Sequence, residues 1–351
     1  MQWMIYGANG YTGELIARQA VSEGLQPVLA GRNAARVQAL ADELGLEARA
    51  FGLDDAGALA DGLRGMALVL HCAGPFSATS APMIEGCLAG GSHYLDISGE
   101  ITVFEHAHAQ SARAAEAGIV ICPGVGFDVI PTDCVALTLK QAMPDATHLA
   151  LGFDSRSGFS PGTAKTSVEG LAQGGRIRRN GEITPVPLAW RTRQIDFGDG
   201  EKLAMTIPWG DVATAFHTTG IPNIEVYIPG SPRLISNARR ANHLRWLLRL
   251  GPVQALLKRR IGRTVRGPDA AARERMPTFV WGEVRNAAGQ IVEARVRTAN
   301  GYSLTVTGSL ATVRHLAQER PDGGTYTPAT LMGADLVERL PGSGSIAVGT
   351  A

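Results

Sequence analysis

The chain has 351 residues, with 33 lysines and arginines against 32 aspartates and glutamates and 45% hydrophobic residues. That length predicts two domains with a sizeable core, and the near-balanced charge carries no global signal for nucleic acid. No apolar run approaches the roughly 20 residues that cross a bilayer, so no transmembrane helix is expected. The first strand begins at the N-terminus, so no signal peptide is expected either. Four cysteines, Cys72, Cys87, Cys122 and Cys134, lack C-x-x-C spacing, which fits reduced thiols in a cytoplasmic protein and argues against structural zinc. His106 and His108 stand two apart on a predicted helix, where side chains do not face one another, and read as solvated rather than as metal ligands.

Met4-Ile5-Tyr6 forms the first strand and leads straight into Gly7-Ala8-Asn9-Gly10-Tyr11-Thr12-Gly13, which opens a helix. Strand, glycine-rich turn and helix N-terminus are what a dinucleotide pyrophosphate requires: tight backbone, close approach and free N–H groups at the positive end of a helix. Further strands are predicted at Pro27–Ala30, Ala48–Phe51, Ala67–Leu70, Tyr94–Ile97 and Ile119–Cys122. Helices are predicted at Asn33–Leu44, with Asn33 as N-cap, and near 80–89, 103–117 and 132–141. This alternation predicts an α/β doubly wound parallel sheet, a Rossmann domain over residues 1–145.

The end of the second strand discriminates between cofactors. NAD-binding domains place an acidic residue about 20 residues past the glycines for the ribose hydroxyl, whereas a 2′-phosphate calls for a basic one. Here Arg32 and Asn33 stand at that point and no carboxylate follows until Asp42, so NADP is expected, with Arg32 pairing the phosphate. Asp54, after the third strand, either caps its helix or accepts from the adenine amine. The turn Ala73-Gly74-Pro75 has room for the nicotinamide ribose. Phe76, Ser98, Gly99, Glu100 and Phe127 are candidate substrate contacts, because ligands of open α/β sheets gather at the carboxyl ends of strands.

The ordered motifs GANGYTG, AGRN, HCAGPF, YLDISGE and GFDVIPTD resemble the saccharopine dehydrogenase-like oxidoreductases, and in particular the trans-acting enoyl reductase branch. The resemblance continues into GTAKTSVEGL (162–171) and GGTYTPATLMGADLVERL (323–340). It implies an NADP-binding Rossmann domain with a second mixed α/β domain, reducing a carbon–carbon or carbon–nitrogen double bond. None of the six tyrosines has Lys four residues later, so the proton source of short-chain dehydrogenases is absent. Lys165 is the candidate enolate stabiliser or proton donor, and Asp128 and Asp133 are candidate orienting groups, with surface exposure and helix capping as their plainer roles. An imine reductase of the saccharopine type, or an NADP-binding protein without catalysis, remain the alternatives to an enoyl thioester reductase.

Residues 146–300 predict an α+β domain that includes a strand at Thr147–Phe153, a helix at 163–173, and a hairpin joining Thr278–Val284 to the alternating run Val292-Glu293-Ala294-Arg295-Val296. Over 301–340, helices at Tyr302–Ala317 and Pro328–Leu340 are expected to return to the first domain, and 341–351 to form a mobile tail. Residues 233–266 hold ten cationic side chains and no carboxylate, with leucines at helical spacing. That stretch reads as a solvated basic face, a dock for an acidic acyl carrier, or a membrane-surface helix peripheral to the bilayer. A homodimer is left open.

Overall fold

The computed structural model describes residues 1–156, 170, 173–248, 250–264 and 269–350. They fall into two compact units, residues 1–130 with 302–333 and residues 131–301 with 334 onward.

The first unit is a seven-stranded sheet in which every pairing is parallel. Its strands are β1 (Trp3–Tyr6), β2 (Val28–Gly31), β3 (Ala48–Ala50), β4 (Leu68–His71), β5 (His93–Asp96) and β6 (Val120–Cys122), in the spatial order 6-5-4-1-2-3, with the two-residue strand Gly324–Thr325 beside β6. The order reverses between β1 and β4, the switch point at which such sheets bind ligands. Helices α1 (Tyr11–Ser22), α2 (Ala34–Leu44), α3 (Ala56–Leu63), α4 (Phe76–Gly90), α5 (Ile101–Ala109) and α6 (Ser111–Glu116) make the crossovers.

Both faces of the sheet are covered, which explains why the central strands β1 and β2 are apolar and buried at every residue. On β1, Trp3 and Ile5 enter one core with Ile16 and Ala20 of α1 and Leu310 and Val313 of the helix Gly301–Gln318. Met4 and Tyr6 enter the other with Leu59, Met83 and Cys87. The helix expected over 103–117 is two pieces, α5 and α6, separated at Gln110, and His106 and His108 are half-buried rather than solvated. All four cysteines are free.

The second unit begins with helix α7 (Ile130–Ala142) and is built on a mixed sheet. Strand β7 (Ala146–Ser155) is central. The hairpin β8 (Gly175–Arg179) and β9 (Glu182–Val186) joins the sheet where Arg178 pairs Ile224. Strands β10 (Thr192–Asp196), β11 (Glu201–Ile207) and β12 (Asn223–Pro229) lie on one side of β7, and β13 (Thr278–Asn286) and β14 (Ile291–Thr298) on the other. Only β12 with β7 is parallel among these described pairings. A side chain at Gly282 would meet Val135 and Leu139 within 3 Å, so α7 lies directly on β13.

Two expectations about the C-terminal stretch need correcting. The helix expected over Pro328–Leu340 ends at Met332, the chain turns at Gly333, and a separate 3-10 turn follows at Leu336–Arg339. The stretch expected to be a mobile tail carries the strand Ala347–Thr350, which pairs antiparallel with β14. Backbone bonding to an open sheet edge supplies the order that its small side chains do not predict.

Candidate functional site

The glycine turn is held from both sides within the first unit. Gly7 N–H donates to the Ala30 carbonyl at 2.7 Å and Ala8 N–H to the same oxygen at 3.1 Å, which ties the turn to β2. Gly7 has φ +85°, and a Cβ there would lie 2.7 Å from the Ala73 nitrogen. The turns after β1 and β4 therefore touch across the switch point. At Gly13 a Cβ would sit 2.4 Å from the Gly7 carbonyl oxygen, so α1 closes on the turn only because that atom is missing. Gly10 is the N-cap of α1 and no side chain bonds the helix end. Tyr11 stacks edge-on against Tyr302, with centroids 5.2 Å apart. Asn9 and Thr12 are partly exposed at the mouth of the turn. The arrangement fits a pyrophosphate, which needs close backbone approach at the positive end of a helix with no side-chain cap.

Beyond β2, Arg32 is exposed and makes no ion pair with any described residue. Asn33 caps α2, its side chain accepting from Arg36 N–H at 3.0 Å. The carboxyl end of β3 approaches the same place. Tyr6 donates to the Phe51 carbonyl at 3.0 Å, and its phenol, pushed up to about 12 by burial, feels the charges of both Arg32 and Asp54. The cap of α3 is Asp55, accepting from Ala58 N–H at 2.9 Å, and not Asp54. Asp54 is left exposed.

The ends of β4, β5 and β6 form a continuous polar edge. Gly74–Pro75 is a cis peptide bond. Thr79 Oγ1 donates to the Ala73 carbonyl at 2.7 Å and bonds His71 Nε2 at 2.9 Å. The two oxygens of Glu100 accept from Phe76 N–H and Ser77 N–H, at 3.0 and 2.9 Å, so Glu100 caps α4 instead of standing free for a substrate. Ser98 is fully buried and its Oγ accepts from Glu100 N–H at 3.0 Å. Phe127 is buried, its N–H donating to Thr305 Oγ1 at 3.0 Å. A Cβ on Gly99 would come 2.8 Å from Asp128 Oδ2, which places that carboxyl against the β5 turn. Burial and the neighbouring Glu100 charge push Asp128 up to about 7. Part of its surface stays open even though protein atoms crowd the carboxyl. A carboxyl raised to about neutral suits proton transfer near neutral pH.

Asp133 belongs to the second unit, is fully buried on α7, and is bonded by the Thr218 hydroxyl. Its role there is to satisfy a helix partner. Lys165 lies outside the described residues. Asp96, at the end of β5, organises the edge. It accepts from Tyr94 OH at 2.7 Å, Ser98 N–H at 2.9 Å and Gly124 N–H at 2.8 Å, and burial still lifts it to about 6 against those three bonds.

A parallel sheet with this order and a cradle of this shape define a pyridine-nucleotide-binding unit. Residues 3–122 match the saccharopine dehydrogenase NADP binding domain. It is 30% identical over 185 residues to a Mycobacterium tuberculosis protein provisionally named a trans-acting enoyl reductase, covering 48% of this chain and 44% of that protein. It is 26% identical over 218 residues to a saccharopine dehydrogenase-like oxidoreductase of Rattus norvegicus, covering 53% and 50%. The matched regions span about half the length of these curated relatives. Apo saccharopine dehydrogenase (L-Glu forming) from Saccharomyces cerevisiae shares the fold over 100% of this chain and 99% of its own, with a TM-score of 0.66 at 10% identity.

Proposed function

We propose that the chain is an NADPH-dependent reductase acting on the carbon–carbon double bond of an enoyl thioester. The observation that carries this reading is Asp128, an enclosed carboxyl lifted to about 7 and packed against Gly99 on the edge that starts at the glycine turn. Gly7, Gly10 and Gly13 with the α1 N-terminus would hold the pyrophosphate, Arg32 the 2′-phosphate, Asp54 the adenine, and the Ala73–Pro75 turn the nicotinamide ribose. When bound, NADPH supplies a hydride from its nicotinamide. Hydride on the β-carbon sends the double-bond pair to the carbonyl oxygen as an enolate, and a proton must then reach the α-carbon. Asp128, protonated up to about neutral pH, is our candidate donor, and Glu100 positions the α4 end beside it.

The relative named as an enoyl reductase supports the substrate class, and the saccharopine dehydrogenase domain supports the cofactor. NADPH absorbance followed across a panel tests both. Oxidation with a short-chain enoyl thioester is expected. Oxidation only with an amine and a keto acid together would replace this reading by imine reduction, and binding without turnover would replace it by a non-catalytic role.

A further inference from the structure

The basic stretch of the second unit exposes apolar side chains that its core does not use. Three helical segments carry it, Pro232–Ala241, Arg245–Leu248 and Gly251–Thr264. Between Leu234 and Leu256 only Ile235 is buried among the described side chains. Trp246 and Leu256 are each 68% exposed, and Leu234, Leu244, Leu247 and Leu250 are exposed as well. No described side chain of the helix Gly251–Thr264 is buried. Large apolar side chains left exposed at this density along one stretch of chain point to an interaction surface.

Charge selects the partner. Residues 233–266 contain ten lysines and arginines without one carboxylate. Arg245 turns inward onto the Gln173 carbonyl. Arg233, Arg240, Arg259 and Arg260 are exposed and make no ion pair with a described residue. A second copy of the chain on this face would set like charge against like. Tryptophan and leucine flanked by arginine is instead the composition that sits at the boundary of an anionic bilayer, with apolar groups among the acyl chains and guanidinium groups among the head groups. No described helix is long and apolar enough to cross a membrane, so the contact would lie in the plane of the surface. We infer that this face docks the protein on anionic lipid bilayers, independently of the reaction proposed above.

Flotation of the full chain with vesicles tests this inference. It should rise with vesicles of phosphatidylcholine mixed with phosphatidylglycerol and not with phosphatidylcholine alone. Arg259→Gln with Arg260→Gln should weaken partitioning about thirtyfold, and Trp246→Ala with Leu256→Ala by at least about tenfold. Unchanged far-UV circular dichroism and thermal unfolding in all variants show that they fold. No flotation with anionic vesicles overturns the inference. So does loss on removing charge with no loss on removing Trp246 and Leu256, which is the pattern of an acidic protein partner. A change of oligomeric state in the Trp246→Ala and Leu256→Ala variant, without loss of flotation, assigns the face to self-association and also overturns it.

Discussion

Gly13→Ala tests whether the first turn is a cofactor cradle or only a connection. The added Cβ would lie 2.4 Å from the Gly7 oxygen, 3.0 Å from Ala8 Cα and 3.1 Å from the Gly7 carbonyl carbon. Ordinary contact begins near 3.4 Å, so α1 or the turn must give by about 1 Å. Neither has room: Gly7 is bonded to Ala30 on one side and abuts Ala73 on the other. Overpacking of this kind costs about 1–3 kcal/mol, and alanine returns at most about 1 kcal/mol of helix propensity. Strain wins, and we expect a net loss of about 1–2 kcal/mol in urea unfolding. The displaced backbone also loses its fit to the pyrophosphate, so NADPH affinity measured by fluorescence titration should fall at least about tenfold. Asp55→Ala is the control, since it removes a cap worth about 1 kcal/mol without touching the turn. It should leave NADPH affinity unchanged. Gly13→Ala protein that binds NADPH as tightly as wild type would refute the cradle.

Three further outcomes follow from single residues. Arg32→Ala should raise the Kd for NADPH about thirtyfold, the equivalent of about 2 kcal/mol for a charged bond to phosphate, and leave NADH affinity within about twofold; equal losses for both nucleotides would remove Arg32 from the 2′-phosphate site. With Asp128 as donor, kcat is full where the carboxyl is protonated and falls as pH rises through about 7, and Asp128→Asn should abolish that limb; a wild-type profile flat from acid to alkaline pH contradicts the assignment. His71 is buried among Tyr6, Phe76 and Tyr94, its Nδ1 has no described partner, and burial pulls it down to about 3. Its folded pKa lies below the unfolded one, so stability is complete above about 6.5 and falls as acid protonates the unfolded chain, by about 2 kcal/mol at pH 5. Denaturant titrations at pH 7 and 5 should show that this loss is smaller in His71→Gln than in wild type.

What the sequence made legible was local. Asn33 is a cap because a side chain three residues from an N–H needs no tertiary partner, and the glycine turn is recognisable because its constraints fall within seven residues. Even so, capping of α3 shifted from Asp54 to Asp55, one residue on. The rest depends on contacts distant in sequence. Glu100 is committed to α4 across 24 residues, and Asp96, besides its bonds from Tyr94 and Ser98, to Gly124 across 28, so the long-range part of each role is not written near the residue that performs it. The strand Ala347–Thr350 is invisible to propensity because β14, not its own composition, orders it.

The most direct test of the central claim is isotopic. NADPH carrying deuterium at the transferable position of its nicotinamide is incubated with a short-chain enoyl thioester, and the product is read by mass spectrometry and NMR. One deuterium at the β-carbon, with the α-proton drawn from solvent, is the result expected of hydride transfer followed by protonation. Deuterium retained wholly in the nucleotide, or found only on a carbon bonded to nitrogen when amine and keto acid are supplied, would contradict it.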